Sequence, residues 1–371
     1  MGVNRASVIG LSAMYFLMLG LGCTVELAKF KENFKKPRGI AIGLMTQFIM
    51  MPLVAYIAGT VFPLKAIHRV ALVLTGCSPG GAMSNILCFL SRADLDLSVA
   101  MTTASSIGSV FMMPLNIYLY VQLTGLADEV KMNYFSIALS AVVVVCGISS
   151  GLYLKIRAGR LSDIRVADEG KCLTVDEDGR SLAVVAKSAA KPSKNMDKDS
   201  LSLRVGAALG LLGGVTTVVS GLAKNAQSDT PAWEESWEVY AAAFSQALAG
   251  LGIGFSLAIL ARLPSSSCVA VSIETSVQNG VVAMSIINIT FGNDDAAASA
   301  AVVIPMCYTA FTTITNICWA AFAMKWGLTD LPSSFTFKEL LRSYVNSLSA
   351  KRDTNGDFKE KDTDNELDQG P

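Results

Sequence analysis

The chain has 371 residues, 52% of them hydrophobic and 16% charged, with 30 basic side chains balancing 30 acidic ones. A soluble domain carries nearer a quarter charged residues, and here the charges gather into short stretches separated by long apolar ones. That pattern excludes an ordinary water-soluble domain and makes nucleic acid an unexpected partner.

Charge-free windows run over 6–25, 39–64, 70–91, 97–127, 132–154, 205–223, 239–261, 263–293 and 296–324, the eighth interrupted once, by Glu274. Each is about 19 residues or longer, enough for a helix to cross a ~30 Å hydrocarbon layer. The expectation is an all-α integral membrane protein with nine transmembrane helices in a lipid bilayer. The first window is followed by a basic loop and not by a small-residue cleavage site, which argues against a removed signal peptide.

Basic residues alternate between loops. Lys29, Lys31, Lys35, Lys36 and Arg38 follow the first window, and Lys155, Arg157, Arg160, Lys191, Lys194, Lys198 and Arg204 flank the segment after the fifth. The intervening loops carry Asp128 and Glu129, then Glu234, Glu235 and Glu238, then Asp294 and Asp295. The positive-inside rule therefore puts the N-terminus outside and the C-terminus in the cytoplasm, with Lys65 and Arg69 as exceptions. Residues 1–325 read as one nine-helix domain carrying a flexible cytoplasmic loop over 155–203. Residues 326–371 read as a largely disordered tail.

Several motifs carry little. None of the eight cysteines forms a CxxC pair, and seven lie in apolar windows as small packing residues, Cys172 being the exception. DTNGDF (353–358) has Phe358 where a calcium loop needs glycine and Asp364 at its twelfth position. The sequon Asn288-Ile289-Thr290 falls in or beside the eighth span, where glycosylation is not expected.

The stretch GCSPGGAMSN (76–85) spells a hydrolase elbow around Ser78, but the next residue is Pro79, which cannot donate an N–H to an oxyanion. The single histidine, His68, is ten residues upstream. Enzyme chemistry is therefore not expected. Pro79-Gly80-Gly81 instead reads as a helix broken at membrane depth, either a packing kink or a helix end lining an ion or substrate site. Ser84 and Asn85 follow directly, and the next span adds Ser98 and Thr102, four apart on one helix face. Each alone is more ordinarily a residue bonded back to its own helix.

Glu274 changes that reading, because a carboxylate in mid-span costs about 2.5–3.5 kcal/mol even on lenient insertion scales. Its context IETSVQNG adds Gln278, Asn279 and Gly280. Hydroxyl, amide and carboxylate oxygens without thiolate or imidazole suit a hard cation, sodium or a proton, and no cofactor. Gln47 precedes the first motif by one span as Gln246 precedes the second. Spans two to four thus correspond to spans seven to nine in opposite orientation, an inverted repeat with two broken helices.

GCTVEL, KKPRGIAIGLMTQFIMMP, GCSPGGAMSNIL, DLDLSVAMTT and IETSVQN, in this order over residues 7–325, resemble the sodium/bile acid cotransporter family. The resemblance implies a panel domain, a core domain with two crossing broken helices, and a plasma-membrane location. It implies one sodium site on Ser84, Asn85, Ser98, Thr102 and Glu274. A second would use Gln47, Glu274 and Gln278 with main-chain carbonyls of Thr275 and Val277. Asn279 matches a substrate-contacting asparagine, with Ala82 beside the substrate where many relatives carry threonine. The implied activity is sodium-coupled import of an amphipathic organic anion such as a bile salt. The alternatives are a carrier of a smaller carboxylate, sodium- or proton-coupled, and a receptor that has lost transport.

Overall fold

A computed structural model describes residues 5–24, 37–81, 83–126, 139, 142–157, 196–226, 231–291 and 294–329. Their regular secondary structure is helical. In chain order the elements are α1 (Arg5–Thr24), α2 (Pro37–Val61), α3 (Ala66–Gly76), α4 (Met83–Ser91), α5 (Leu95–Thr124), α6 (142–157), α7 (Met196–Ala226), α8 (Trp237–Leu260), α9 (Ser265–Ser276), α10 (Gly280–Thr290) and α11 (Asp295–Lys325). Among the described residues, α2, α5, α8 and α11 are individually long and apolar enough to cross a membrane. Their outward faces carry large apolar side chains such as Phe111, Leu115, Leu248, Leu260 and Ile314. Such a surface is stable against lipid and not against water. The protein is an integral membrane protein.

The windows 70–91 and 263–293 each hold two short helices, α3–α4 and α9–α10, separated at Pro79-Gly80-Gly81 and at Val277-Gln278-Asn279. α7 begins at Met196, inside the segment read as a flexible loop; that segment's residues 158–195, with Cys172, lie outside the described residues. So do the first basic loop up to residue 36 and, in the tail, residues 330–371 with the calcium-like stretch. Asn288 of the sequon is buried in α10. The seven described cysteines are free thiols. Cys23, Cys77, Cys88 and Cys268 are buried as packing residues, whereas Cys146 and Cys318 are exposed.

Local chemistry explains the departures from straight helix. Thr46–Met50 of α2 is a turn of π-helix, with the Met51 N–H reaching back to the Thr46 carbonyl. Pro52 follows and has no N–H for the Phe48 carbonyl. Asn116 of α5 supplies the missing donor, its Nδ2 lying 2.7 Å from Phe48 O. The widened turn directs Gln47 and Thr46 inward, where both are buried. Asp94 starts α5 as an N-cap, accepting from Leu97 N at 3.0 Å, and its other oxygen accepts from Ser267 of α9 at 2.7 Å. Asp294 caps α11 in the same way through Ala297 N.

α1 packs on α7 and α6 through glycines. A Cβ at Gly210 would lie 2.5 Å from the Cα of Gly20, and one at Gly22 would lie 3.0 Å from the Cα of Gly151. At Gly213 it would strike the Ala13 carbonyl and come within 2.8 Å of Leu17 N. Backbone cannot yield as a flexible side chain can. Gly213→Ala should therefore force α1 and α7 apart and cost about 1–3 kcal/mol or more. A lowered melting temperature and less monodisperse protein in detergent would show it, and an unchanged melting temperature would refute the close packing.

His68, the single histidine, is buried at 1% exposure, with Nε2 3.5 Å from Glu235 Oε1. Glu235 also lies 3.8 Å from Lys65. Lys65, one of the two basic residues that broke the loop-charge pattern, thus has an acidic partner in the segment before α8.

Candidate functional site

The two helix breaks lie against each other. Gly80 and Gln278 form an isolated antiparallel bridge. Gly81 N donates to Val277 O at 2.9 Å, and Asn279 N donates to Pro79 O at 2.8 Å. Each break therefore satisfies polar groups the other leaves open, as backbone at membrane depth requires. Four helix ends meet at this crossing, with α2, α5 and α11 packed beside it.

Glu274, in the last turn of α9, is fully buried beside the crossing. Thr102 Oγ1 lies 2.7 Å from its Oε1, and Ser98 Oγ lies 3.1 Å from its Oε2. The same two hydroxyls also approach Asn85 Oδ1, at 2.9 Å from Ser98 and 3.3 Å from Thr102. Thr102 Oγ1 is in addition 3.0 Å from Ser98 O. Each hydroxyl has one proton, so two protons face five oxygen contacts. Ser84, also fully buried, donates to Gly81 O at 2.8 Å. An oxygen cluster short of protons around a buried anion has the chemistry of a cation site. Gly80 makes room for it, since a Cβ there would lie 2.5 Å from Gln47 Nε2 and 2.7 Å from Glu274 Oε1.

The residues of the second expected set adjoin the first. Gln47 Nε2 is 3.2 Å from Glu274 O and 3.5 Å from Glu274 Oε1. Gln278 Nε2 donates to Thr275 O at 3.1 Å. The Oε1 atoms of Gln47 and Gln278 are both buried with no hydrogen-bond partner. A buried acceptor without a donor costs about 1–3 kcal/mol, and a cation would relieve it. The Thr275 and Val277 carbonyls each already accept one hydrogen bond, from Gln278 Nε2 and Gly81 N, and retain a second lone pair.

Asn279 lies at the N-terminus of α10, where its Oδ1 accepts from Val282 N at 3.2 Å. Two residues on, Val281 lines an open apolar groove of about 510 Å³ along α1 and α7, with Leu17, Leu21, Leu211, Val215 and Val218 among its walls and Leu211 and Val215 exposed. Ala82 lies outside the described residues. Ser78, the elbow serine, is buried and donates to Thr75 O at 2.7 Å, the bond of a helix end.

Four residues at the crossing escaped sequence reasoning. Thr46 Oγ1 is 2.8 Å from Thr275 Oγ1. Tyr308, Thr312 and Asn316 of α11 all bond to Ser276. The spacing 308, 312, 316 puts the three on one helix face, but nothing in the sequence says which neighbour that face meets.

The Sodium Bile acid symporter family matches over residues 11–162. The chain is 29% identical over 287 residues to the human "Sodium-dependent organic anion transporter", covering 77% of this chain and 65% of that protein. It is 41% identical over 152 residues to the human "Hepatic sodium/bile acid cotransporter", covering 40% and 43%. It is 29% identical over 280 residues to the "Ileal sodium/bile acid cotransporter" of Cricetulus griseus, covering 75% and 68%. The chain thus spans less than two thirds of the length of the first two. These relatives bear the names of transporters and cotransporters, not of enzymes. The family's stretch thus lies in the N-terminal half of the chain, and the chain is similar along three quarters of its length to sodium-dependent organic anion and bile acid transporters.

Proposed function

We propose that this protein is a sodium-coupled symporter that imports an amphipathic organic anion of the bile-salt class by alternating access. The observation that carries the proposal is the proton shortage around buried Glu274. One sodium ion would take Ser84, Asn85, Ser98, Thr102 and Glu274. A second would take Gln47, Glu274 and Gln278 with the Thr275 and Val277 carbonyls. No cofactor is needed. Two sodium ions sharing one carboxylate leave about one net positive charge, which a monoanion offsets. The apolar groove beside α10 has a volume ordinary for a small-molecule site. Its walls would face the substrate's hydrocarbon body, with Asn279 at the polar end.

In this reading nine spans form a panel of α1, α6 and α7 and a core of the remaining helices. The N-terminus is outside, the C-terminus is cytoplasmic, and the membrane is the plasma membrane. Two features support an inverted repeat. Asp94 and Asp294 cap corresponding helices. Gln246 also faces Gly76, whose Cβ would lie 3.0 Å from Gln246 Nε2, as Gln47 faces Glu274. Gly76 precedes Gly80 by four residues, and Glu274 precedes its bridge partner Gln278 by four. Only one copy holds a carboxylate, so the repeat would build its ion sites on one side. Sodium would hold the crossing helices together and complete the anion site, letting empty or fully loaded carriers exchange between facing states.

The test is uptake of labelled taurocholate into proteoliposomes in sodium against choline medium, with current recorded. Sigmoidal sodium dependence and an inward current are expected. Hyperbolic, electroneutral uptake would remove the second ion, and uptake driven by an acid-outside gradient alone would replace sodium by a proton. If nothing moves but sodium still raises the melting temperature, the ion site stands and the substrate class is wrong.

A further inference from the structure

We propose that Tyr308, Thr312 and Asn316 of α11 are positioning residues for the second cation site. They fix the Ser276–Val277 peptide so that the carbonyls on either side of it stay turned toward the crossing. This inference rests on the sodium-symport reading above. α9 ends at Ser276, and a helix end leaves carbonyls without intrahelical partners. At Ser276 the carbonyl accepts the Gln278 N–H of the break at 3.2 Å and two hydroxyls from α11, the phenol of Tyr308 and Thr312 Oγ1 at 2.9 Å. Asn316 Nδ2 donates to Ser276 Oγ and also to Thr312 O at 2.7 Å. The N–H of the same Ser276–Val277 peptide donates to Ile273 O at 3.0 Å. Both ends of this peptide plane are therefore held.

The neighbouring carbonyls point elsewhere. Thr275 O meets Gln278 Nε2, and Val277 O meets Gly81 N of the opposite break. Val277 has left helical geometry, with φ −87° and ψ 87°, so the carbonyl directions diverge from here on. Ser276 O thus meets α11 as well as the Gln278 N–H, while the carbonyls before and after it meet Gln278 Nε2 and Gly81 N. If the two α11 hydroxyls were lost, only the Gln278 N–H within the break would, among the described residues, still hold the Ser276 carbonyl. From the opposite side α8 presses on the same residue, since a Cβ at Gly250 would lie 2.8 Å from Ser276 Cα.

A simple cap needs one donor. Here three side chains at 308, 312 and 316, one face of one helix, converge on one residue, and Tyr308, Asn316 and Ser276 are fully buried. In this cluster the two hydroxyl protons, both amide protons and the Ser276 hydroxyl, 3.4 Å from Thr312 Oγ1, have partners. The carboxylate cluster, two residues earlier in the chain, is short of protons. On the α11 side the donors of Tyr308, Thr312 and Asn316 are used and one acceptor, Asn316 Oδ1, lacks a partner, whereas the other side gathers the carboxylate and the two unpartnered glutamine oxygens of the ion sites.

The experiment measures melting temperature of the purified full-length protein against sodium chloride, with choline chloride holding ionic strength constant, and needs no substrate. The wild type should rise cooperatively with sodium; a wild type that does not respond would defeat the symport reading itself. Tyr308→Phe combined with Thr312→Val should raise the half-saturating sodium roughly five- to tenfold and move the Hill coefficient from about two toward about one. Thr312→Ser keeps the hydroxyl and should keep the wild-type curve. Should the double variant fail to fold, Tyr308→Phe alone retains one donor and gives a smaller shift in the same direction. A lower melting temperature without sodium, combined with an unchanged half-saturating concentration and Hill coefficient, would reduce the cluster to a helix cap and overturn the proposal.

Discussion

Glu274→Gln is expected to lose sodium-driven uptake by at least about 100-fold and to lose the sodium-induced rise in melting temperature. Glutamine keeps the shape and one carbonyl oxygen but removes the only charge among the side chains that meet at Oε1 and Oε2, namely Thr102, Ser98 and Gln47. A cation desolvated without a counter-charge loses several kcal/mol, and each 1.4 kcal/mol is a factor of ten in binding. The sign of the stability change in choline medium is the sharper test. With no cation present, the buried carboxylate carries an unrelieved desolvation cost, so the variant should melt at least as high as wild type. Thermal melts in sodium and choline, alongside uptake, measure all three quantities. A variant that still responds to sodium would end Glu274's role as the shared ligand.

Gly80→Ala is expected to have an effect nearly as large by a different route. Its Cβ would stand 2.5 Å from Gln47 Nε2 and 2.7 Å from Glu274 Oε1. Both are ends of long side chains that can swing aside, so the fold should survive at a cost of about 1–3 kcal/mol. The carboxylate, however, would be pushed off Thr102 and Ser98. Sodium affinity should fall at least about tenfold while the protein remains monodisperse. Sodium titration of the melting temperature measures this, and wild-type affinity would mean that Gly80 does not border the ion.

Glu274 and the Pro79-Gly80-Gly81 break were legible in the sequence because each violates a rule of apolar helices. One is a charge with no partner nearby in the chain, and the other is backbone with no way to continue its ladder. Asn85, Ser98 and Thr102 were visible as a face once the carboxylate gave them something to surround. Ser276 and its partners were not, because threonine on a membrane helix reads the same whether it bonds its own turn or a neighbour. Here both occur: Thr309 bonds Pro305 O, while Thr312, three residues on, bonds Ser276. The π turn at Thr46–Met50 had its cause in view, since Pro52 must orphan the Phe48 carbonyl. Its donor, Asn116, lies 68 positions away. The burial of His68 depends on Glu235, 167 positions further along the sequence, and no local pattern announces such a pairing.

The carboxylate cluster also imposes an order on biosynthesis. Ser98 and Thr102 lie 176 and 172 positions before Glu274, and Gln47 lies 227 before it. A ribosome therefore delivers the neutral oxygens to the bilayer long before the anion they surround. Until Glu274 arrives, those hydroxyls can bond back to their own helix, as Thr102 does to Ser98 O, so the nascent first half carries no buried charge for the insertion machinery to reject. When α9 does enter, its carboxylate meets partners already in place. The costliest side chain in the membrane is thus the last of its group to be made, and a truncated chain ending before it would hold the cradle without the charge.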